Sequence, residues 1–101
     1  MTLPAELDGA RVIGYTSNNK SNNFGFIRYE EEDGTSNDVI ITGMAIAMYD
    51  RDKGYYLFSC DIEWNVIGDT FHNSLNEAIE CAKVSDGIAE SDWICPLSEN
   101  Q

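Results

Sequence analysis

Residues 55–85 read YYLFSCDIEWNVIGDTFHNSLNEAIECAKVS, and this stretch decides the fold. Its first residues, Tyr55 to Phe58, are apolar on both faces, which is typical of a central strand that is covered on both sides. Polar residues around Trp64, at positions 61–65, predict a turn. Residues 66–71 then predict a second strand, and the remainder predicts one amphipathic helix.

The helix has clear start and stop signals and spans about residues 74–86. Ser74 followed by Glu77 is a capping box, in which the serine hydroxyl accepts the amide of the glutamate. Gly87 ends the helix because glycine readily adopts the left-handed conformation at a helix C-terminus. The apolar stripe consists of Leu75, Ala78, Ile79 and Ala82. A helix with one apolar stripe is not stable alone, so we expect it to pack on a sheet.

The rest of the chain predicts further short strands separated by polar loops. They cover residues 11–16, 24–30, 38–42 and 44–50, with a short edge strand at 90–96, while residues 1–9 are expected to be poorly fixed. The predicted fold class is therefore α+β. It is a strongly bent antiparallel sheet of about five or six strands with one helix packed on it. Residues 1–101 are expected to form a single domain.

Composition limits the classes of function. The chain has 18 acidic and 6 basic residues, a formal net charge of −12. This exceeds the magnitude of about 2–8 that solubility alone requires. Such a charge repels nucleic-acid phosphates and attracts basic partners. The alternative is that the acidity only keeps a small protein soluble and monomeric. The sequence has neither a long apolar span nor a basic-plus-apolar leader, which favours a cytoplasmic location.

The sequence predicts no cofactor, no metal site and no enzymatic activity. Cys60, Cys81 and Cys95 have no CxxC spacing, so reduced and mostly buried thiols are expected. A cysteine paired with His72 lacks any feature that would bring nucleophile and base together. Asp50, Asp52 and Asp61 have the outer spacing of a calcium loop. However, Gly54 stands where the third ligand belongs and Tyr55 where the sharp-turn glycine is needed.

The leading hypothesis is a non-enzymatic acidic binding protein of the immunity or inhibitor type. It would neutralise a basic protein partner, such as a nuclease toxin, by presenting carboxylates to lysine and arginine. The predicted contacts are Glu30, Glu31, Glu32, Asp33, Asp50, Asp52, Asp61 and Glu63, with Trp64 and either Tyr55 or Tyr49 as aromatic anchors. The alternative for the acidic run is a solvated loop, and for Trp64 a position in the core.

A second hypothesis comes from a sequence resemblance. Residues 12–46 contain a series of positions that match a known pattern in order. They are Val12, Tyr15, Lys20, the tetrapeptide FGFI at 24–27, the pairs at 33–34 and 38–39, and Ala45–Ile46. This pattern resembles the cold-shock domain, a small five-stranded barrel that binds single-stranded nucleic acid. The resemblance implies base stacking on Phe24 and Phe26, and an alternative nucleic-acid site of Tyr15, Phe24, Phe26 and Arg28. The family's aromatic positions are occupied here by Gly14 and Ile40, and its histidine by Thr42.

Overall fold

Five antiparallel strands form a strongly curled sheet, a half-barrel, with one helix against it. The computed structural model describes residues 6–49, 51 and 53–94. The strands are β1 (Glu6–Leu7), β2 (Ala10–Tyr15), β3 (Phe26–Glu30), β4 (Ser36–Ile40), β5 (Gly43–Met48), β6 (Tyr55–Cys60) and β7 (Val66–His72), and the helix α1 is Leu75–Asp86. The sheet order is β1-β2-β5-β6-β7, while β3 and β4 form a separate two-stranded hairpin. The predicted α+β class with a bent antiparallel sheet and one helix is confirmed.

Two of the sequence-based expectations at the ends of the chain are corrected by the structure. Residues 6–9 are not poorly fixed, because Glu6 and Leu7 pair with Arg11 and Ala10 and the Leu7 side chain is buried. An edge strand was expected at 90–96, and over its described part, residues 90–94, the chain instead forms a short 3-10 helix, Glu90–Asp92, followed by a single bridge at Ile94. In that bridge the Ile94 amide donates to the Tyr15 carbonyl at 2.7 Å. Residues 1–5 and 95–101 lie outside the described residues.

Alternation along β5 and β6 gives the sheet two apolar faces. Tyr56 and Phe58 of β6 point to one face and Leu57 to the other, as the apolar run in the sequence predicts. The first face, called the Trp64 face, buries Leu7, Ala10, Val12, Ala45, Ala47, Phe58, Cys60 and Trp64. The second, called the helix face, buries Ile41, Met44, Ile46 and Leu57 beneath Ala78, Ala82 and Ile88.

The helix is capped at both ends as its sequence predicts. The Ser74 hydroxyl accepts the Glu77 amide at 3.1 Å, and the Glu77 carboxylate accepts the Asn73 amide at 3.1 Å. Gly87 has φ 73°, in the left-handed region. The Ile88 amide then returns to the Ala82 carbonyl at 3.2 Å and places the Ile88 side chain in the core. Within the described residues, no helix has the length and apolar content needed to span a bilayer.

The closest packing of the helix on the sheet is made by its small residues. Ala78 and Ala82 have no exposed surface, whereas Leu75, the first residue of the predicted stripe, is 39% exposed. Small side chains let the helix backbone approach the sheet closely, and larger apolar groups then fill the margins of the contact. The stripe therefore identifies the buried face, but its alanines and not its leucine lie at the centre.

Candidate protein-interaction surface

The β3–β4 hairpin leaves the sheet and pairs with itself. Its register places Phe26 opposite Ile40 and Arg28 opposite Asp38. At its base the two strands are joined by two further backbone hydrogen bonds, both of 2.8 Å. The Phe24 amide donates to the Ile41 carbonyl, and the Ile41 amide donates to the Gly25 carbonyl. The hairpin is therefore a two-stranded ribbon that is held at its base.

One face of this ribbon packs on the protein and the other faces solvent. Ile27 packs among the residues of the helix face, and Val39 opposite it is half-buried. The alternate side chains point away from the protein, because successive residues of a strand lie on opposite faces. This solvent-facing side, called the outer hairpin face, consists of Phe26, Arg28 and Glu30 of β3 and Ser36, Asp38 and Ile40 of β4.

The base of the outer hairpin face is apolar. Phe26 is 54% exposed and Ile40, directly opposite, is 42% exposed. The Arg28 guanidinium carbon lies 5.7 Å from the centroid of the Phe26 ring, within the range of a cation–π contact. The pair therefore places two large, partly exposed apolar side chains side by side on this face.

The middle of the outer hairpin face is an ion pair. Arg28 Nε donates to Asp38 Oδ1 at 2.8 Å and Nη2 donates to Oδ2 at 3.2 Å. These two hydrogen bonds hold the pKa of the Asp38 carboxyl below its usual value and raise that of the guanidinium. Among the residues that the structure describes, this is the one ion pair, and the two charges cancel in the middle of the face.

The tip of the hairpin carries four consecutive acids, all exposed. They are Glu30, Glu31, Glu32 and Asp33. Asp33 Oδ1 accepts the amide of Thr35 at 3.0 Å and its hydroxyl at 2.7 Å, and both bonds lower the pKa of the Asp33 carboxyl. Gly34, at φ 92°, supplies the left-handed residue of the turn. Asp33 therefore builds the turn, while the three glutamates extend into solvent.

The other predicted contact residues lie elsewhere and have mixed roles. Asp61 Oδ1 accepts the amides of Glu63 at 2.9 Å and Asn65 at 2.8 Å, so this carboxylate organises the β6–β7 turn.

Trp64 in that turn is only 6% exposed, has φ 66°, and its ring meets the Tyr15 ring edge to face. Trp64 was considered either as an aromatic anchor for a partner or as a core residue, and the structure places it in the core. Glu63 is exposed. Asp50 and Asp52 lie outside the described residues.

Neither of the two tyrosines considered as anchors belongs to the hairpin. Tyr49 donates its hydroxyl to the Asp8 carbonyl at 2.8 Å and packs against Tyr56, with ring centroids 5.2 Å apart. Tyr55 is half-buried on the helix face. Both tyrosines therefore contribute to packing at the sheet.

The alternative nucleic-acid set is divided among three environments. Tyr15 packs on the Trp64 face, and Phe24 packs on the helix face. Phe26 and Arg28 share the outer hairpin face, where Asp38 neutralises the guanidinium. Two of the four side chains are thus together, and their neighbours toward the tip are acidic.

Sequence reasoning missed the partners that complete the outer hairpin face. Asp38 and Ile40 complete this face opposite Arg28 and Phe26, and the sequence alone predicts only that they lie in or beside a strand. A pattern in the sequence could have identified this face. Every second residue of β3, namely Phe26, Arg28 and Glu30, lies opposite a residue of similar or complementary chemistry in β4, namely Ile40, Asp38 and Ser36. It can be recognised only once β3 and β4 are known to pair in this register.

The cysteines and the histidine occupy separate positions. Cys60 is fully buried, and burial, with the Asp61 charge as a lesser cause, raises its pKa to about 12. Cys81 lies half-buried on the helix, with its sulfur 4.0 Å from the Ser85 hydroxyl. His72 Nε2 lies 2.8 Å from Thr70 Oγ1. Within the described residues, no group of three or more His, Cys, Asp or Glu side chains is placed to hold a metal ion.

Comparisons with known proteins add no assignment. No protein-family model matches the chain, and neither the curated proteins nor the solved structures contain a significant match.

Proposed function

We propose that the chain is a non-enzymatic acidic binding protein that docks its β3–β4 hairpin on a basic protein partner, as an immunity or inhibitor protein would on a nuclease toxin. The observation that carries the proposal is the exposed Phe26–Ile40 pair on the same ribbon as the acidic tip. The proposal also places the activity in molecular recognition and not in catalysis.

The two ends of the ribbon supply different parts of binding. The glutamates of the tip form charge-assisted hydrogen bonds with lysine or arginine and accelerate encounter with a positively charged surface. The Phe26 and Ile40 side chains supply apolar area that is buried on contact, and an aromatic anchor often contributes much of the binding energy. The partner therefore needs a basic patch bordered by an apolar depression.

The ion pair between them prepares the ribbon for docking. Asp38 accepts two hydrogen bonds from Arg28, whose guanidinium carbon lies 5.7 Å from the centroid of the Phe26 ring. A side chain that is already ordered loses less conformational entropy when it binds. The hairpin thus presents a preorganised base and a strongly negative tip.

A charge-reversal experiment tests this proposal. The variant Glu30→Lys, Glu31→Lys, Glu32→Lys leaves Asp33 intact because that residue builds the turn. Its matched control is Glu6→Lys, Glu80→Lys, Glu90→Lys, which reverses three exposed acids outside the hairpin. Both variants change the formal charge from −12 by +6, to −6. Each protein is immobilised and used to capture partners from the native host, with quantification by mass spectrometry.

We expect the unmodified chain and the control variant to capture the same basic protein, and the hairpin variant to fail to capture it. Phe26→Ala should accelerate dissociation of that same protein, while association should slow as salt is raised. Equal capture by all three proteins would overturn the assignment of the hairpin.

A labelled single-stranded oligonucleotide at low salt tests the alternative. Salt-sensitive binding that is lost in Phe26→Ala would favour the nucleic-acid function and overturn the acidic-partner proposal. No binding at low salt agrees with the proposal, because the acidic tip repels phosphates.

A further inference from the structure

A cleft lies on the helix face between the two elements that cover it. The helix and the β3–β4 hairpin pack on the same face of the sheet, and a space of about 260 Å³ remains between them. Its apolar part is formed by Met44 and Leu57 of the sheet and by Ile27 of the hairpin. Its polar part is formed by Ser85 and Asp86 of the last helical turn and by Ser59 and Thr70 of the sheet. One wall therefore belongs to the proposed docking hairpin itself.

Asp86 is the carboxylate that this cleft presents. It is half-buried, and that burial raises the pKa of its carboxyl. Asp69 also borders the cleft, but its register opposite Phe58 turns its side chain toward the Trp64 face. Within the described residues, Asp86 has neither a salt bridge nor a side-chain hydrogen bond. Its charge is therefore partly desolvated and has no ion-pair partner among the described residues.

The position of Asp86 at the end of the helix strengthens this imbalance. The C-terminal end of a helix carries a partial negative charge, so a carboxylate there is disfavoured and a cation is favoured. The Gly87 and Ile88 amides satisfy the Lys83 and Ala82 carbonyls. The carbonyls that follow in the last turn have no amide donor within the helix. A cation at Asp86 would interact favourably with the carboxylate and with the helix end.

We propose that this cleft is a specificity pocket for a lysine or arginine side chain of the basic partner, an inference that rests on the function proposed above. The methylene stem of such a side chain packs on Ile27, Met44 and Leu57, and its charged head reaches Asp86. Long basic side chains bury their stems on apolar surface in this way while the charge stays at a polar rim.

Other occupants fit the cleft less well. A wholly apolar group would further desolvate Asp86 without compensating its charge. Calcium takes about six to eight oxygen ligands, and the side chains that face this cleft offer one carboxylate, Asp86, and the hydroxyls of Ser59, Thr70 and Ser85. An anion would meet the carboxylate, the negative helix end and the overall charge of −12.

Small cations test the cleft without the partner. Butylammonium and butylguanidinium are titrated into ¹⁵N-labelled protein, with butanol as the neutral ligand of the same stem. We expect at least one cation to shift the amides of residues 57–59, 68–70 and 81–86 with a Kd of roughly millimolar, as suits so small a ligand. Asp86→Asn should weaken this by about tenfold or more, whereas Glu80→Gln, at an exposed position on the same helix, should leave it unchanged.

The outcomes test the pocket independently of the proposed docking by the hairpin. The Glu30→Lys, Glu31→Lys, Glu32→Lys variant should keep the cation shifts but lose the partner. Equal shifts with butanol, shifts retained in Asp86→Asn, or none at these residues would each overturn the pocket, even if hairpin reversal still abolished capture. Circular dichroism is used to check that Asp86→Asn is folded, which we expect because removing a desolvated charge should not unfold the chain.

Discussion

Arg28 and Asp38 face each other across the β3–β4 hairpin and are joined by two hydrogen bonds, of 2.8 and 3.2 Å. This pair divides the outer hairpin face into an apolar base at Phe26 and Ile40 and an acidic tip. Because Asp38 compensates the Arg28 charge, the acids on this hairpin without an ion pair among the described residues are those of the tip.

Removal of Arg28 is expected to raise the pKa of Asp38 toward its ordinary value. In the folded protein this pKa is lowered, mainly by the hydrogen bond from Arg28. A lowered carboxyl pKa contributes stability that is present above the ordinary pKa and is lost as the pH falls through the folded-state value. Carboxyl ¹³C shifts followed against pH in Arg28→Ala measure the change. Arg11→Ala, at an exposed position in β2, is the control, and an unchanged Asp38 titration in Arg28→Ala would contradict the pairing.

Enlarging the small residues of the helix should destabilise the fold. Ala78→Leu or Ala82→Leu inserts a larger side chain where no surface is exposed, at an expected cost of about 1–3 kcal/mol in the free energy of unfolding. Val84→Leu, at a position that is 74% exposed, should change little. Urea unfolding monitored by circular dichroism compares the three. Equal stability of all three would show that the helix does not pack through its alanines.

Truncation of Ile88 should create a cavity beneath the end of the helix. Ile88 is fully buried, and its amide bonds to the Ala82 carbonyl at 3.2 Å, which sets the side chain against the helix face. Ile88→Ala is expected to lower the free energy of unfolding by about 2–5 kcal/mol. Ile94→Ala, at an exposed isoleucine, is the matched substitution and should cost much less. Thermal melts that failed to separate the two variants would refute this packing.

The two described cysteines should differ sharply in reactivity. The pKa of Cys60 is raised to about 12 by burial and by the neighbouring Asp61 charge, so it forms little thiolate near pH 8. Cys81 is half-buried and should be modified first by iodoacetamide. Peptide mass spectrometry over a time course measures both rates, with labelling in guanidinium chloride as the reference. Faster modification of Cys60 in the folded chain would place that strand outside the core.

The local elements could be predicted well from the sequence because their signals are local. The apolar run at 55–58 gave a strand with two covered faces, and the Ser74–Glu77 cap and Gly87 gave the limits of the helix. The acidic run at 30–33 could be recognised as a turn from Asp33-Gly34. Each of these features depends on residues that lie within a few positions of one another.

The pairing of strands could not be predicted in the same way. β2 pairs with β5 across about 30 residues of intervening chain, and the hairpin between them leaves the sheet. Strand sequences of similar apolar content fit several partners, and the choice depends on the total burial that each arrangement achieves. The same limit applies to Trp64, whose indole suits an interface as well as a core until the half-barrel encloses it.

By itself, the sequence determined the fold class, the helix, most strand positions and a net charge that favours basic partners. Only the tertiary structure decided which acids project together, which aromatics are enclosed, and that Asp86 lies beside a cleft between the helix and the hairpin. The physical reason is that periodicity and turn chemistry act between near neighbours in the chain. Burial and charge complementarity act between residues that become neighbours only when the sheet closes.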